Sequence, residues 1–135
     1  MKRIVFLIII CFTLVLIACK KEGSERFRLL TAHAWSSDSL LAEGVDASGS
    51  GQVLEKFKGD AMFYKDHTGY FGKYTGSWRF AYNETNIVIQ SDSLQMPITA
   101  NIDLLSNSAF KITTAYPNKL NPSNPIDIRM TFKAK

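Results

Sequence analysis

Hydrophobic and polar residues alternate with a period of two over much of the chain. From Leu94 to Leu104 every even position is apolar and every odd one is polar or Pro, which predicts a strand with one buried face. Ile126, Ile128, Met130 and Phe132 alternate in the same way with Asp127, Arg129, Thr131 and Lys133, and Trp78, Phe80 and Tyr82 alternate with Ser77, Arg79 and Ala81. Shorter strand candidates cover 35–41, 53–58, 61–65, 69–75, 86–90 and 109–115, for about nine strands in all. Ahead of them, Phe27, Leu29, Leu30 and Ala34 fall at near-helical spacing, enough for one or two helical turns leading into Trp35.

Turn signals separate these segments at short intervals: Gly44 to Gly51, Lys58-Gly59-Asp60, Asp66-His67-Thr68-Gly69, Gly76, Tyr82-Asn83-Glu84-Thr85, Ser91-Asp92-Ser93 and Ser106-Asn107-Ser108. Short strands joined by short turns, with no helical pattern between them, predict an all-β fold. Consecutive connection favours a small up-and-down antiparallel β-barrel of about eight strands, which leaves no open edge. Pro97 has no donor for a ladder, so a bulge or unpaired position is expected there. The loop Pro117 to Pro125 is polar and rich in breakers, and is a candidate contact surface. On this phase Met62, Tyr64, Trp78, Phe80, Tyr82, Leu94, Met96, Ile98, Ile102 and Leu104 all point inward. Trp78, Phe80, Tyr82 and Met96 would line an apolar pocket, and Arg79 or Tyr82 would offer it a polar group. The plainer reading is that these residues are the core of a filled barrel, since an eight-stranded barrel is just wide enough for either.

The first nineteen residues follow a different pattern. Met1-Lys2-Arg3 is a short positive region, Ile4 to Ala18 is continuously hydrophobic apart from Thr13, and Lys20-Lys21 follow Cys19. As a helix the apolar run would span about 22 Å against a hydrocarbon core of about 30 Å, so a secretion signal is the better reading than a permanent membrane span. Leu16-Ile17-Ala18-Cys19 resembles the lipobox of bacterial lipoproteins. That resemblance implies cleavage before Cys19, loss of a signal peptide over 1–18, and acylation of the Cys19 thiol with diacylglycerol and palmitate-type chains. Residues 19–26 would then be a lipidated tether and 27–135 the barrel domain. Lys20-Lys21 adds attraction to anionic headgroups, and several acyl chains together hold firmly where one would not. The only other cysteine, Cys11, falls within the signal, so the mature chain is expected to carry no disulfide and no thiolate ligand. By analogy with the sorting of such lipoproteins, Lys rather than Asp after Cys19 is compatible with the outer membrane of the cell envelope, on either its periplasmic or its surface face.

Composition narrows the function. A chain of 135 residues, 46% hydrophobic and 21% charged, makes one globular domain. Its net charge of +4 lies in the first 28 residues, because residues 29 to 135 hold ten Lys/Arg against ten Asp/Glu. A neutral domain has no electrostatic footprint for nucleic acid. The run Asp46 to Gly51 contains Gly and Ser, but it has neither the strand-turn-helix context of a nucleophile elbow nor the Lys of a phosphate loop. His33 and His67 are too few for a zinc centre, and Asp66-His67 reads as a turn. Nothing in their spacing makes an acid–base pair of Asp60 and Asp66, and the sequon Asn83-Glu84-Thr85 also reads as a turn. A non-enzymatic protein without cofactors is expected.

Leu29-Leu30 followed by Trp35, then Phe63 with Asp66-His67-Thr68-Gly69, then Gly76-Ser77-Trp78 and the alternating strands, together resemble the small lipocalin-like domains of bacterial envelope lipoproteins. The likeness spans roughly residues 27 to 134, with His33 standing where lipocalins carry Gly. It implies a barrel closed at one end by the first Trp, with a basic residue over it, either Arg129 or Lys133. The resulting expectation is a lipid-anchored envelope lipoprotein that binds a small hydrophobic ligand in its barrel. The alternative is a non-catalytic interaction or scaffold lipoprotein with a filled barrel, meeting protein or glycan through the loops Gly44 to Gly51 and Pro117 to Pro125.

Overall fold

The computed structural model describes residues 23–135; the signal read over 1–18 and Cys19 lie outside the described residues. A short helix α1 (Glu25–Thr31) precedes nine strands: β1 (Trp35–Ala42), β2 (Val45–Asp46), β3 (Asp60–Phe63), β4 (Thr68–Phe71), β5 (Tyr74–Ala81), β6 (Asn86–Gln90), β7 (Ile98–Leu105), β8 (Ala109–Tyr116) and β9 (Ile126–Ala134). Strands β3 to β9 pair in sequence order, all antiparallel, and β9 pairs back onto β1. The result is a closed eight-stranded up-and-down barrel, with β2 as an extra strand on β1.

Strand β1 makes the closure. It pairs with β9 along its whole length, from Trp35 opposite Ala134 to Ala42 opposite Ile128, with a register shift at Asp38 between Ser37 and Ser39. On its other side only Trp35 and Ser36 meet β3, while Leu41 and Ala42 meet β2. The β1–β2 turn is two residues long, with Glu43 at φ 51° and Gly44 at φ 77°, the left-handed pair that matches strand twist.

Both mouths are closed by the chain itself. At the end where β1 starts, the Ser24 side chain caps α1 by accepting from the Phe27 N–H at 3.1 Å, and α1 buries Leu30. The buried Trp35 indole donates to the Leu30 carbonyl at 3.0 Å, which satisfies an orphan acceptor of the helix's last turn. At the opposite end a 3₁₀ turn (Glu55–Phe57) replaces the strand expected over 53–58. Leu54 and Phe57 lie three residues apart, which puts them on one face of such a turn, and both are buried.

Between these stoppers the interior is aromatic. Phe27, Trp78, Phe63, Phe110 and Trp35 form a continuous series with 5.7 Å between successive ring centroids, and Phe71 and Phe132 join it from the sides. A glycine pair lets neighbouring backbone approach closely: Gly69 and Gly76 face each other across β4 and β5. A Cβ on Gly76 would collide with the Gln90 carbonyl, and one on Gly69 with the Met62 carbonyl.

Several inward assignments are corrected. In β3 the pairing of Ala61 with Trp35 and of Phe63 with Gly69 sends the odd residues inward, so Met62 and Tyr64 lie on the outer side. The alternation from Leu94 to Leu104 belongs to two structures. Residues 91–97 are a loop, with Met96 exposed and Leu94 partly buried against the core, and β7 begins only at Ile98. A register shift between Ile102 and Leu104 then turns Leu104 out and Leu105 in. Pro97 is unpaired, one of the two outcomes expected for it, because it immediately precedes the ladder; the irregularity within β7 itself lies at Asp103. The segment 69–75 straddles the turn Gly72-Lys73 between β4 and β5, and α1 takes in Glu25 and Arg26.

Gly76→Ala is expected to destabilise the fold by about 3 kcal/mol, because the methyl group meets backbone that cannot rotate away. Chemical denaturation measures it, and a loss below that of an ordinary surface substitution contradicts the packing described.

Candidate functional site

The five residues expected to line a pocket do not converge. Trp78 is buried near α1, its indole donating to the Tyr64 carbonyl at 3.1 Å and its ring flanked by Phe27, Phe63 and His67. Phe80 lies edge-on to it at 5.4 Å and is partly buried. Arg79 is exposed on the outer wall. Tyr82 is 74% exposed in the β5–β6 turn, and Met96 is 49% exposed in the loop at the opposite end. The alternation of Trp78, Phe80 and Tyr82 breaks because β5 ends at Ala81.

Among the described residues, the voids found inside the barrel are small. A void of about 10 Å³ lies among Phe63, Phe71, Phe110, Ile112 and Met130, and another of about 30 Å³ lies under Leu54 and Phe57 toward Ile98 and Tyr116. One water needs on the order of 10 to 15 Å³ and a small-molecule pocket at least about 300 Å³. Leu54 and Phe57 occupy the mouth where a guest would enter; the Phe57 ring packs on Tyr74 at 4.7 Å, with the Lys56 ammonium 5.9 Å above that ring.

A larger hollow, of about 430 Å³, lies on the outside of the wall. Cross-strand register builds it. Asn86, Asn101, Thr113, Arg129 and Leu41 stand side by side across β6, β7, β8, β9 and β1, with Ala115 opposite Asp127 in the next row. The β1–β2 turn forms one rim: Glu43 Oε1 accepts from the Asp127 N–H at 2.6 Å, and the Glu43 N–H donates to the Asp127 carbonyl at 2.8 Å. Asn101 is oriented by the Asn86 amide at 2.8 Å, and Thr113 donates to Asp103 at 3.2 Å. The ion pairs among the described residues are Lys133–Asp38 and Lys135–Asp60, so the Arg129 guanidinium and the Asp127 carboxylate both stand free of ion pairs at the hollow. A cation, an anion and amide and hydroxyl groups beside Leu41 and Ala115 suit a mixed polar and apolar surface. No motif announces this site, because it draws its residues from four strands and a hairpin.

The residues weighed for chemistry serve the fold. His67 stacks against Phe27 and Trp78, and His33 lies edge-on to Trp35. Asp60 holds the Lys135 ammonium at 2.6 Å. Neither Arg129 nor Lys133 covers Trp35: both are on the outer face, and Lys133 pairs with Asp38 at 2.7 Å. Among the described residues no group of three or more His, Cys, Asp or Glu is placed to hold a metal ion, and no helix is long and apolar enough to cross a membrane.

The fold defines the chain as an eight-stranded up-and-down barrel with a filled interior. No protein-family model matches it, and no curated protein matches its sequence.

Two aspartates brace their own turns. Asp66 accepts from the Thr68 hydroxyl at 2.6 Å and the Thr68 N–H at 3.0 Å, which lowers its carboxyl below the ordinary value, and Ser48 does the same for Asp46. A carboxyl depressed in the folded state supports the fold above the ordinary carboxylate range and loses that support as pH falls through the lowered value. Thr68→Val is expected to raise the Asp66 titration midpoint followed by NMR; an unchanged midpoint assigns the depression elsewhere.

Proposed function

We propose that this chain is a non-catalytic, lipid-anchored lipoprotein of the cell envelope, held in the outer membrane through Cys19, whose solid barrel meets a protein or glycan on its outer surface. The filled interior carries this reading in preference to transport of a hydrophobic ligand. A guest would have to displace Leu54 and Phe57, and the remaining voids of about 10 and 30 Å³ hold at most a water or two. The outer hollow supports it further. It is the larger space, it carries free hydrogen-bonding groups, and its rim adjoins the β1–β2 turn at the start of the Gly44 to Gly51 segment. The loop Pro117 to Pro125 joins the two strands that supply Thr113, Ala115, Asp127 and Arg129, so it extends the same surface. The anchor rests on the lipobox-like Leu16-Ile17-Ala18-Cys19 behind its apolar run. The lipocalin-like resemblance is compatible with this reading, because a barrel of eight strands can be filled by its own side chains.

Cys19→Ala is expected to move the protein from the membrane to the soluble fraction without changing its Tm. Retention of the variant in lipid-extractable form refutes the anchor. Native mass spectrometry of the mature protein, after exposure to fatty acids and envelope lipids, is expected to give the acylated polypeptide alone, and an adduct released on denaturation overturns the solid barrel. A photoreactive residue replacing Ala115 in the hollow is expected to cross-link to an envelope component, whereas one replacing Arg79 on a different part of the wall does not. Equal labelling from both positions removes the hollow as the contact.

A further inference from the structure

Strand direction sorts the turns into two groups. Helix α1 and the turns at 64–67, 82–85 and 106–108 share one end of the barrel, and the turns at 43–44, 72–73, 91–97 and 117–125 share the other. The chain enters at the first end, next to the β5–β6 turn: the Ser24 hydroxyl donates to Glu84 Oε1 at 2.7 Å, and the Arg26 guanidinium donates to the Glu84 carbonyl.

That turn is unusual in its backbone. Tyr82, Asn83 and Glu84 have φ of 50°, 54° and 64°, three consecutive non-glycine residues in the left-handed region. Closing a hairpin does not require this, since Glu43-Gly44 closes β1 on β2 with two residues. Thr85 braces the turn through its N–H and hydroxyl, both donating to the Tyr82 carbonyl, and Ser24 and Arg26 hold it from the entering chain. The braced turn presents Tyr82, 74% exposed, beside the point where the tether joins. A strained conformation that persists because its surroundings fix it points to a role for what it presents.

We propose that the α1 end of the barrel docks on the bilayer, with Tyr82 seated among the lipid headgroups. This rests on acylation of Cys19. Cys19 lies four residues before Gly23, a reach of at most about 14 Å for an extended chain, so the end bearing Ser24 and Tyr82 stays close to the headgroups that hold the acylated residue. Tyrosine suits that layer because its ring is apolar and its hydroxyl polar. Charge at this end is balanced, with Glu25, Asp66 and Glu84 against Arg26, Arg28 and Lys65, and with Lys135 paired to Asp60 and Lys133 to Asp38, so the seat depends on the ring, and electrostatic attraction comes from Lys20 and Lys21 on the tether. The opposite end, with the Glu43 rim and the loop 117–125, then points away from the membrane.

The mature protein has no cysteine beyond the acylated one, so single thiols can be added and labelled. Full-length acylated protein carrying Lys65→Cys or Leu120→Cys is labelled with a nitrobenzoxadiazole fluorophore and reconstituted in phosphatidylethanolamine–phosphatidylglycerol vesicles. Lys65 is at the α1 end and Leu120, 97% exposed, at the other. The label at 65 is expected to shift to the blue and to be quenched by headgroup nitroxides, and the label at 120 to do neither. Adding Tyr82→Ser to Lys65→Cys is expected to abolish that quenching while the protein still floats with the vesicles. Floating protein with equal, water-like emission from 65 and 120 overturns the docking and leaves the anchor standing. Quenching at 65 that survives Tyr82→Ser overturns the role of Tyr82. Protein that does not float overturns the anchor, and the docking with it.

Discussion

Eight strands closed into a barrel enclose a volume that must go to side chains or to a guest, and in this chain side chains take it. The series from Phe27 through Trp78, Phe63 and Phe110 to Trp35 runs between the walls at spacings suited to tilted and edge-on packing. The wall around them is drawn tight at Gly69 and Gly76, which face each other across two strands and lie against the Met62 and Gln90 carbonyls. The ends are closed as well. The Trp35 indole ties α1 to the barrel through the Leu30 carbonyl, and Leu54 and Phe57 fill the other mouth from a single turn. With the interior committed to packing, groups free for recognition are found outside it.

The periodicity revealed most of the wall. Strands β8 and β9 lie close to where alternation puts them, because each keeps one inward phase, and β6 lies where its short apolar run falls between turn signals. Phase was lost where two phases were equally apolar. Ala61 and Phe63 compete with Met62 and Tyr64, and only pairing with β1 and β4 decides between them. It was lost again where one residue is left out of register, as at Asp103, so that Leu104 and Leu105 exchange faces. Tyr82 and Met96 extend an apparent alternation past the ends of their strands, into a turn and a loop where the pattern has no structural meaning. The stopper at 53–58 reads as a strand because two large apolar residues near one another do not reveal whether the backbone between them is extended or coiled. The outer hollow was not legible at all, since its rows exist only once β6, β7, β8, β9 and β1 are in register.

The two ends of the barrel differ in character. The α1 end is braced by local contacts between the entering chain and the β5–β6 turn. The other end carries the longer connections, including the polar 117–125 loop, and borders the hollow where Arg129 and Asp127 have no ion partner among the described residues. On the reading proposed above, a membrane at the first end and a partner near the second would divide the work between anchoring and recognition, with the packed barrel as the spacer between them.

The pairing of β1 with β9 also governs when this protein can acquire its structure. Strand β1 is the first of the described strands to be synthesised, yet it shares only two register pairs with β3 and takes seven with β9. Until β9 is free, β1 has almost no ladder to join. Joining the two ends of the chain defers reward until a long loop has closed, which makes folding slow and nearly all-or-none. The ladder that closes the barrel is therefore the last to become available, and the fold is completed at its seam.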